Sequence, residues 1–168
     1  MSSINYFSIF NLDVGFDLNL SELEKIYFAK QREFHPDRLI GKSPSERAAA
    51  ISQSMSVNSA YETLKSPLKR IWHILNLEGI EQDKVKPDNK ILIEIMDIRE
   101  QLADAGDIAE LEKISAKNKI AIAQIIGDIL LGFAAKDFNL LTKLATRFSY
   151  LAKIEEEIIA KIRIISAR

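Results

Sequence analysis

The chain has no cysteine among its 168 residues, which excludes disulfide bonds, thiolate metal sites and cysteine nucleophiles. Only 2 histidines are present. The sequence also lacks a His-Glu-x-x-His spacing, a glycine-rich phosphate loop and a serine in a strained elbow. These absences argue against an enzyme, and we expect neither a bound metal nor a cofactor. The lack of cysteine also suits a reducing compartment.

The sequence has neither an excess of charge of one sign nor a long apolar run. The formal net charge is -1, so no global field favours nucleic acid or an anionic membrane. No apolar stretch approaches the length of about 20 residues that a membrane-spanning helix needs. Residues 1–11 carry no basic residue before their short apolar run, unlike a secretory signal. We therefore expect a soluble cytoplasmic protein with no nucleic-acid or membrane partner.

Glycine and proline are scarce, at 6 and 4 residues, and apolar residues between them recur at helical spacing. The pattern predicts an all-α fold. We expect a short helix or turn over residues 5–12. Helices are expected over residues 21–34, 43 or 45 to 66, 67–77, 88–105, 107–135 and 137–168. A polar stretch divides them into a first domain over 1–77, a linker over 78–87, and a C-terminal three-helix bundle over 88–168.

Helix starts and inward faces can also be predicted. Ser21 with Glu24, and Asp107 with Glu110, have the spacing of capping boxes. The inward residues of the second helix are expected to be Leu20, Leu23, Ile26, Tyr27 and Phe34, and those of the third Ala48, Ile51, Met55, Ala60, Tyr61 and Leu64. His73, among apolar neighbours, is expected to be a packed or surface imidazole rather than a ligand.

The loop between the second and third helices contains His35, Pro36, Asp37 and Arg38. Proline fixes one backbone torsion and donates no hydrogen bond, so His35 and Asp37 are held at a set angle on an exposed tip. Asp37 can accept a bidentate pair from an arginine, and His35 can donate or accept. This loop, placed between two antiparallel helices, resembles that of a J domain.

The resemblance extends beyond the loop, to the HscB group of J-domain co-chaperones. The residues that carry it are Tyr27, Phe34, Asn58, Ala60, Tyr61, Leu64, Pro67, Arg70, Trp72 and Leu75. It implies that the first domain, an antiparallel hairpin with short flanking helices, stimulates the ATPase of a DnaK/HscA-type chaperone through the loop. Lys25, Lys30 and Arg32 are further candidates for an acidic chaperone surface. Lys30 departs from the family pattern, which has an apolar residue there.

The helix predicted over 88–105 has two apolar faces. Ile91, Ile95, Ile98 and Leu102 form a narrow stripe suited to a bundle seam, and a second apolar face lies beside it. That second face can pack within the protein or bind a partner. The resemblance favours a partner: it implies binding of an IscU-type iron-sulfur scaffold through Leu92, Ile93, Met96, Asp97, Arg99 and Glu100, with Tyr150 matching an aromatic of the same site.

The HscB resemblance thus implies a non-catalytic activator of a chaperone ATPase that delivers the scaffold during iron-sulfur cluster assembly, transfer and protein maturation. A general J-domain protein that delivers another client shares His35-Pro36-Asp37 and differs in the helix over 88–105. An enzyme built on His35 and Asp37 lacks the neighbours that catalysis needs.

Overall fold

The computed structural model describes residues 4–34 and 40–167 of the chain. The chain divides into two compact units, Met1–Glu78 and Gly79–Arg168. All regular elements within the described residues are helices, so the predicted all-α class is confirmed.

The first unit contains α1 (Tyr6–Ile9), α2 (Leu20–Glu33), α3 (Pro44–Lys65) and α4 (Pro67–Leu77). A side-chain oxygen caps the first turn of each, from Asn5, Asn19, Ser43 and Ser66 respectively. Proline follows Ser43 and Ser66 directly, where its missing N–H removes no helical bond. Local sequence signals therefore account for where these helices begin.

The predicted start of α2 at Ser21 is wrong. The side-chain oxygen of Asn19 accepts hydrogen bonds from the backbone N–H groups of Ser21 and Glu22 at 3.1 and 3.2 Å. Asn19 supplies the acceptor that the first turn needs, so Ser21 lies inside the helix. Leu20 becomes the first helical residue and is exposed rather than inward.

The inward face of α3 also differs from the prediction. Ile51 and Met55 are 57% and 65% exposed. The buried residues of α3 are Ala50, Val57, Ala60 and Leu64. The helix carries two apolar stripes, and the neighbouring helices pack on the one that contains Val57 and Leu64.

The core of the first unit is built around buried aromatic and aliphatic residues of all four helices and of the loop before α2. They include Phe7, Phe10, Phe16, Leu23, Leu64, Ile71, Ile74 and Leu75. His73 is buried among them and accepts a hydrogen bond at Nε2 from the Tyr6 backbone N–H at 3.1 Å. Its ring stacks on that of Tyr6 at 4.5 Å between centroids. Burial lowers the pKa of His73, which agrees with a packed, neutral imidazole.

The second unit contains a 3₁₀ turn at Gln82–Lys84, followed by α5 (Asn89–Asp104), α6 (Ile108–Ala134) and α7 (Phe138–Ser166). Aspartates 88, 107 and 137 cap the three helices. Each helix contacts the other two, which confirms the predicted three-helix bundle. The Glu110 carboxylate accepts a hydrogen bond from the backbone N–H of Gly106 at 2.7 Å. The predicted capping box requires the N–H of the cap residue Asp107 instead, so the bond is displaced by one residue.

Side-chain contacts give the directions of these helices. Arg147 pairs with Glu94 and Glu157 with Arg99, so residue numbers rise together and α5 and α7 run parallel. Asn118 donates to the Leu151 carbonyl at 3.0 Å, and Gly132 lies against Leu141, so α6 and α7 are antiparallel.

A buried polar cluster lies between α6 and α7. Ser115 and Asn118 donate to the two carboxylate oxygens of Glu155 at 2.5 and 2.9 Å. Burial raises the pKa of Glu155, but hydrogen bonds from Asn118, Ser115 and Lys119 outweigh burial and leave the pKa below its ordinary value. The cluster favours one register of the two helices because its donors and acceptors match in that register alone.

Candidate partner-binding surfaces

The loop residues His35, Pro36, Asp37 and Arg38 lie outside the described residues. The structure describes the two helices that flank them. Tyr27 stacks on Tyr61 with ring centroids 4.0 Å apart, and its hydroxyl donates to the Asn58 side-chain oxygen at 3.0 Å. Gln31 donates to the same oxygen at 2.6 Å and accepts from Ser54 at 3.3 Å. Along these contacts the residue numbers of α2 rise while those of α3 fall, so the two helices form the expected antiparallel hairpin.

The three basic candidates on α2 do not share one face. Lys25 and Arg32 are exposed and lie two helical turns apart on the same side. Lys30 is half-buried and falls on the side of Leu23, whose side chain is in the core. The structure therefore places Lys25 and Arg32 on one side of α2 and Lys30 on another.

Phe28 lies between Lys25 and Arg32 on the outer face of α2 and is 52% exposed. Its ring packs against that of Tyr27 at 5.3 Å between centroids. We did not select Phe28 from the sequence. Its spacing of three and four residues from the two basic positions is the signal that could have found it.

The exposed apolar side of α5 is the second surface, and we call Leu92, Ile93 and Met96 the α5 patch. These side chains are 39%, 59% and 70% exposed. Ile91, Ile95 and Leu102, on the seam, are all buried, and Ile98 is half-buried. The two apolar faces of α5 thus have different environments, and the α5 patch is not covered by a neighbouring helix of the bundle.

Ion pairs with α7 orient charged side chains around the α5 patch. The Arg99 guanidinium donates to Glu157 at 2.9 Å. Glu94 accepts two hydrogen bonds from Arg147, at 2.8 and 2.6 Å. The bidentate bond to Glu94 raises the pKa of Arg147, so that arginine stays charged. Asp97 and Glu100 are exposed, and neither has an ion-pair partner within residues 4–34 and 40–167.

Tyr150 is half-buried on α7. Arg147, Tyr150, Ile154, Glu157 and Lys161 recur along one face at three- and four-residue steps. Three of these residues contact α5, since Lys161 donates to the Leu102 carbonyl at 2.6 Å and the other two form the ion pairs described above. The structure therefore places Tyr150 on the side of α7 that faces α5. The roles of Arg147 and Glu157 were missed, because their partners lie more than fifty positions away in the sequence.

Within the described part of the chain, no helix is both long enough and apolar enough to cross a membrane. The same residues contain no group of three or more histidine, aspartate or glutamate side chains placed to hold a metal ion.

A helical hairpin unit followed by a three-helix unit with an exposed apolar helix face defines a two-part, all-α architecture. Residues 87–159 match a family model described as the HSCB C-terminal oligomerisation domain. The iron-sulfur cluster co-chaperone protein HscB of Mus musculus is 36% identical over 157 residues, which cover 92% of this chain and 67% of that protein. A co-chaperone protein HscB homolog of Vibrio cholerae is 31% identical over 166 residues, covering 92% of this chain and 95% of the relative.

A solved structure shows the same likeness. The crystal structure of human co-chaperone protein HscB superimposes with a TM-score of 0.88 at 32% identity, over 95% of this chain and 82% of that one. The chain belongs to the HscB family of iron-sulfur cluster co-chaperones. Its first unit is the J domain and its second the C-terminal helical bundle of that family.

Proposed function

We propose that this protein stimulates the ATPase of a DnaK/HscA-type chaperone and delivers to it an IscU-type scaffold during iron-sulfur cluster assembly. The observation that carries the proposal is the exposure of the α5 patch on the face of α5 beside its buried seam. An exposed, contiguous apolar face bordered by charged residues is typical of a protein interface. The name of the mouse relative, iron-sulfur cluster co-chaperone protein HscB, supports a role in iron-sulfur cluster assembly.

Chaperone activation is assigned to residues 1–77. His35, Pro36 and Asp37 bind one conformational state of the chaperone and so shift its equilibrium towards hydrolysis. Lys25 and Arg32 add long-range attraction to an acidic chaperone surface, which speeds encounter more than it tightens the complex. The protein acts as a regulator, and the partner chaperone is the protein that hydrolyses ATP.

Scaffold binding is assigned to residues 88–168, with residues 78–87 as the linker. Leu92, Ile93 and Met96 supply the apolar anchors, and Met96 adapts its shape through its unbranched side chain. Arg99, held by Glu157, and the exposed carboxylates of Asp97 and Glu100 supply orientation at the rim. Tyr150 extends the surface from α7. We place the activity in the cytoplasm.

Steady-state ATPase measurements test this function. Purified DnaK/HscA-type chaperone is titrated with this protein, with and without the IscU-type scaffold. We expect this protein alone to hydrolyse no ATP, to stimulate the chaperone, and to stimulate it further with scaffold. Hydrolysis without a chaperone would instead indicate an enzyme. Stimulation that the scaffold leaves unchanged, together with no scaffold binding, would indicate a general J-domain protein with another client.

A further inference from the structure

A cleft of about 580 Å³ lies between the segment that precedes α5 and the first turns of α7. Its whole lining comes from the second unit, from Ile80 to Thr146. The volume is in the range of sites that hold small molecules or single peptide side chains, about 300–1,000 Å³. None of the three residues of the α5 patch lines it, so the cleft is a separate feature.

The cleft has an apolar wall and acceptor oxygens. Val85 and Ile91 contribute to the wall, and Ile91 is buried. The hydroxyls of Thr142 and Thr146 donate to the carbonyls of Phe138 and Thr142 at 2.6 and 2.7 Å. Their hydrogens are therefore committed to α7, and their oxygens can only accept from a ligand.

Two lysines give the cleft its charge. Lys86, in the segment before α5, and Lys143, on α7, both line it and are exposed. Neither forms an ion pair with any residue that the structure describes. Asp88 is the acidic lining residue, and its carboxylate already accepts the Ile91 backbone N–H at 3.0 Å as the cap of α5. The lining side chains thus carry two positive formal charges against one negative charge.

We propose that this cleft binds an acidic segment of a partner polypeptide. A carboxylate of the segment lies between the ammonium groups of Lys86 and Lys143, and an apolar neighbour packs on Val85 and Ile91. A peptide fits better than a bare inorganic anion, because its N–H groups can donate to the threonine oxygens. The site does not depend on the function proposed for the α5 patch.

Nuclear magnetic resonance titration of the full chain tests the site. The probe is the peptide acetyl-Leu-Glu-Glu-Leu-amide, and its neutral counterpart has both glutamates replaced by glutamine. We expect saturable shifts of the backbone amide signals of Val85, Thr142 and Lys143 with the acidic peptide. The neutral peptide is expected to bind at least tenfold more weakly, and added salt is expected to weaken the acidic one because the charges are exposed.

A charge-reversal pair supplies the matched control. Lys86→Glu with Lys143→Glu is expected to weaken binding at least tenfold. Lys113→Glu with Lys117→Glu, two exposed lysines of α6, makes the same change in net charge and should leave affinity within twofold. If the first pair lowers the melting temperature, Lys86→Gln with Lys143→Gln replaces it.

Three results would overturn the proposal. The first is no shift at these amides, and the second is an equal loss of affinity in the two charge-reversal pairs. In the third, inorganic phosphate shifts the same signals at the same concentration as the peptide, which would make the cleft a general anion site.

Discussion

Arg70 is a buried cation on α4 whose environment is poorly matched to its charge. Its Nε and Nη1 atoms are buried and have no hydrogen-bond partner among the residues that the structure describes, and its guanidinium lies 5.2 Å from the centre of the Phe16 ring. Burial lowers the pKa of Arg70, and the charge of Asp17 opposes this effect only in part. An unpaired buried charge costs free energy that the ring contact offsets incompletely.

We therefore predict that Arg70→Met does not destabilise the protein. Methionine keeps much of the side-chain volume and removes both the buried charge and the two buried donors that lack a partner among the described residues, so the desolvation cost of these groups is lost. Chemical denaturation with urea measures the free energy of unfolding. A loss of about 3 kcal/mol or more would mean that Arg70 has a stabilising partner in solution.

His73 makes stability depend on pH. Burial lowers its pKa in the folded state, so the unfolded chain binds the proton first as pH falls. The stability contributed by neutral His73 is fully present above the ordinary histidine pKa of about 6.5. It is lost as pH falls from that value through the lower pKa of the folded state.

We predict that His73→Gln removes this part of the pH dependence, because glutamine can still accept from the Tyr6 N–H but does not titrate. Urea denaturation of both proteins between pH 7.5 and about pH 5 gives the difference, because every other titratable group is common to the two proteins. Parallel curves for the two proteins would show that His73 has an ordinary pKa in the folded state.

At the scale of elements, α5 carries a buried seam and an exposed apolar patch on the same helix. Its seam residues hold the bundle, and the α5 patch leaves apolar surface exposed at a cost in solubility. Natural surfaces seldom keep such a patch without a use. The ion pairs from α7 fix the position of this helix, since Arg147 and Glu157 contact α5 on either side of the level of Tyr150.

We predict that Leu92→Ala with Met96→Ala weakens scaffold binding by about 2 kcal/mol or more, as for anchor residues of an interface. The melting temperature should change little, because both side chains are exposed in the folded protein. Isothermal titration calorimetry and thermal unfolding measure the two effects.

The control for this pair is Ile120→Ala with Leu131→Ala, two exposed apolar side chains of α6. This change should leave scaffold affinity unaltered. If the Leu92 and Met96 pair unfolded the bundle, those residues would belong to the core. Equal losses of affinity in both pairs would show that scaffold binding needs no particular apolar face.

At the scale of the whole molecule, the two proposed activities reside in two separate compact units. Residues that share no partners contribute independently to free energies. We predict that His35→Gln abolishes stimulation of the chaperone ATPase and leaves both folding and scaffold affinity unchanged. ATPase assays and scaffold titration on the same preparation check this.

The independence of the two proposed binding surfaces can be tested quantitatively. Scaffold affinity measured for Leu92→Ala with Met96→Ala should be the same with and without His35→Gln, within about 0.5 kcal/mol. A larger difference would show that the two surfaces are coupled. Stimulation retained by His35→Gln alone would exclude the proposed action of the loop.

The sequence by itself determined the helical class, nearly all helix ends and the resemblance to the HscB group. These features rest on short-range rules: caps, prolines and the spacing of apolar residues along one helix. The wrong start at Ser21 was local in origin, because Asn19 competed as a cap. At Ile51 and Met55 the periodicity of α3 offered two apolar stripes and could not choose between them.

Only the tertiary structure decided which stripe is buried. Ala50 and Val57 are inside and Ile51 and Met55 outside because other helices pack on one side of α3. It also decided which charges pair and where a cleft remains between α7 and the segment before α5. Such features join residues far apart in the chain, and the periodicity of one helix carries no information about the partner it meets.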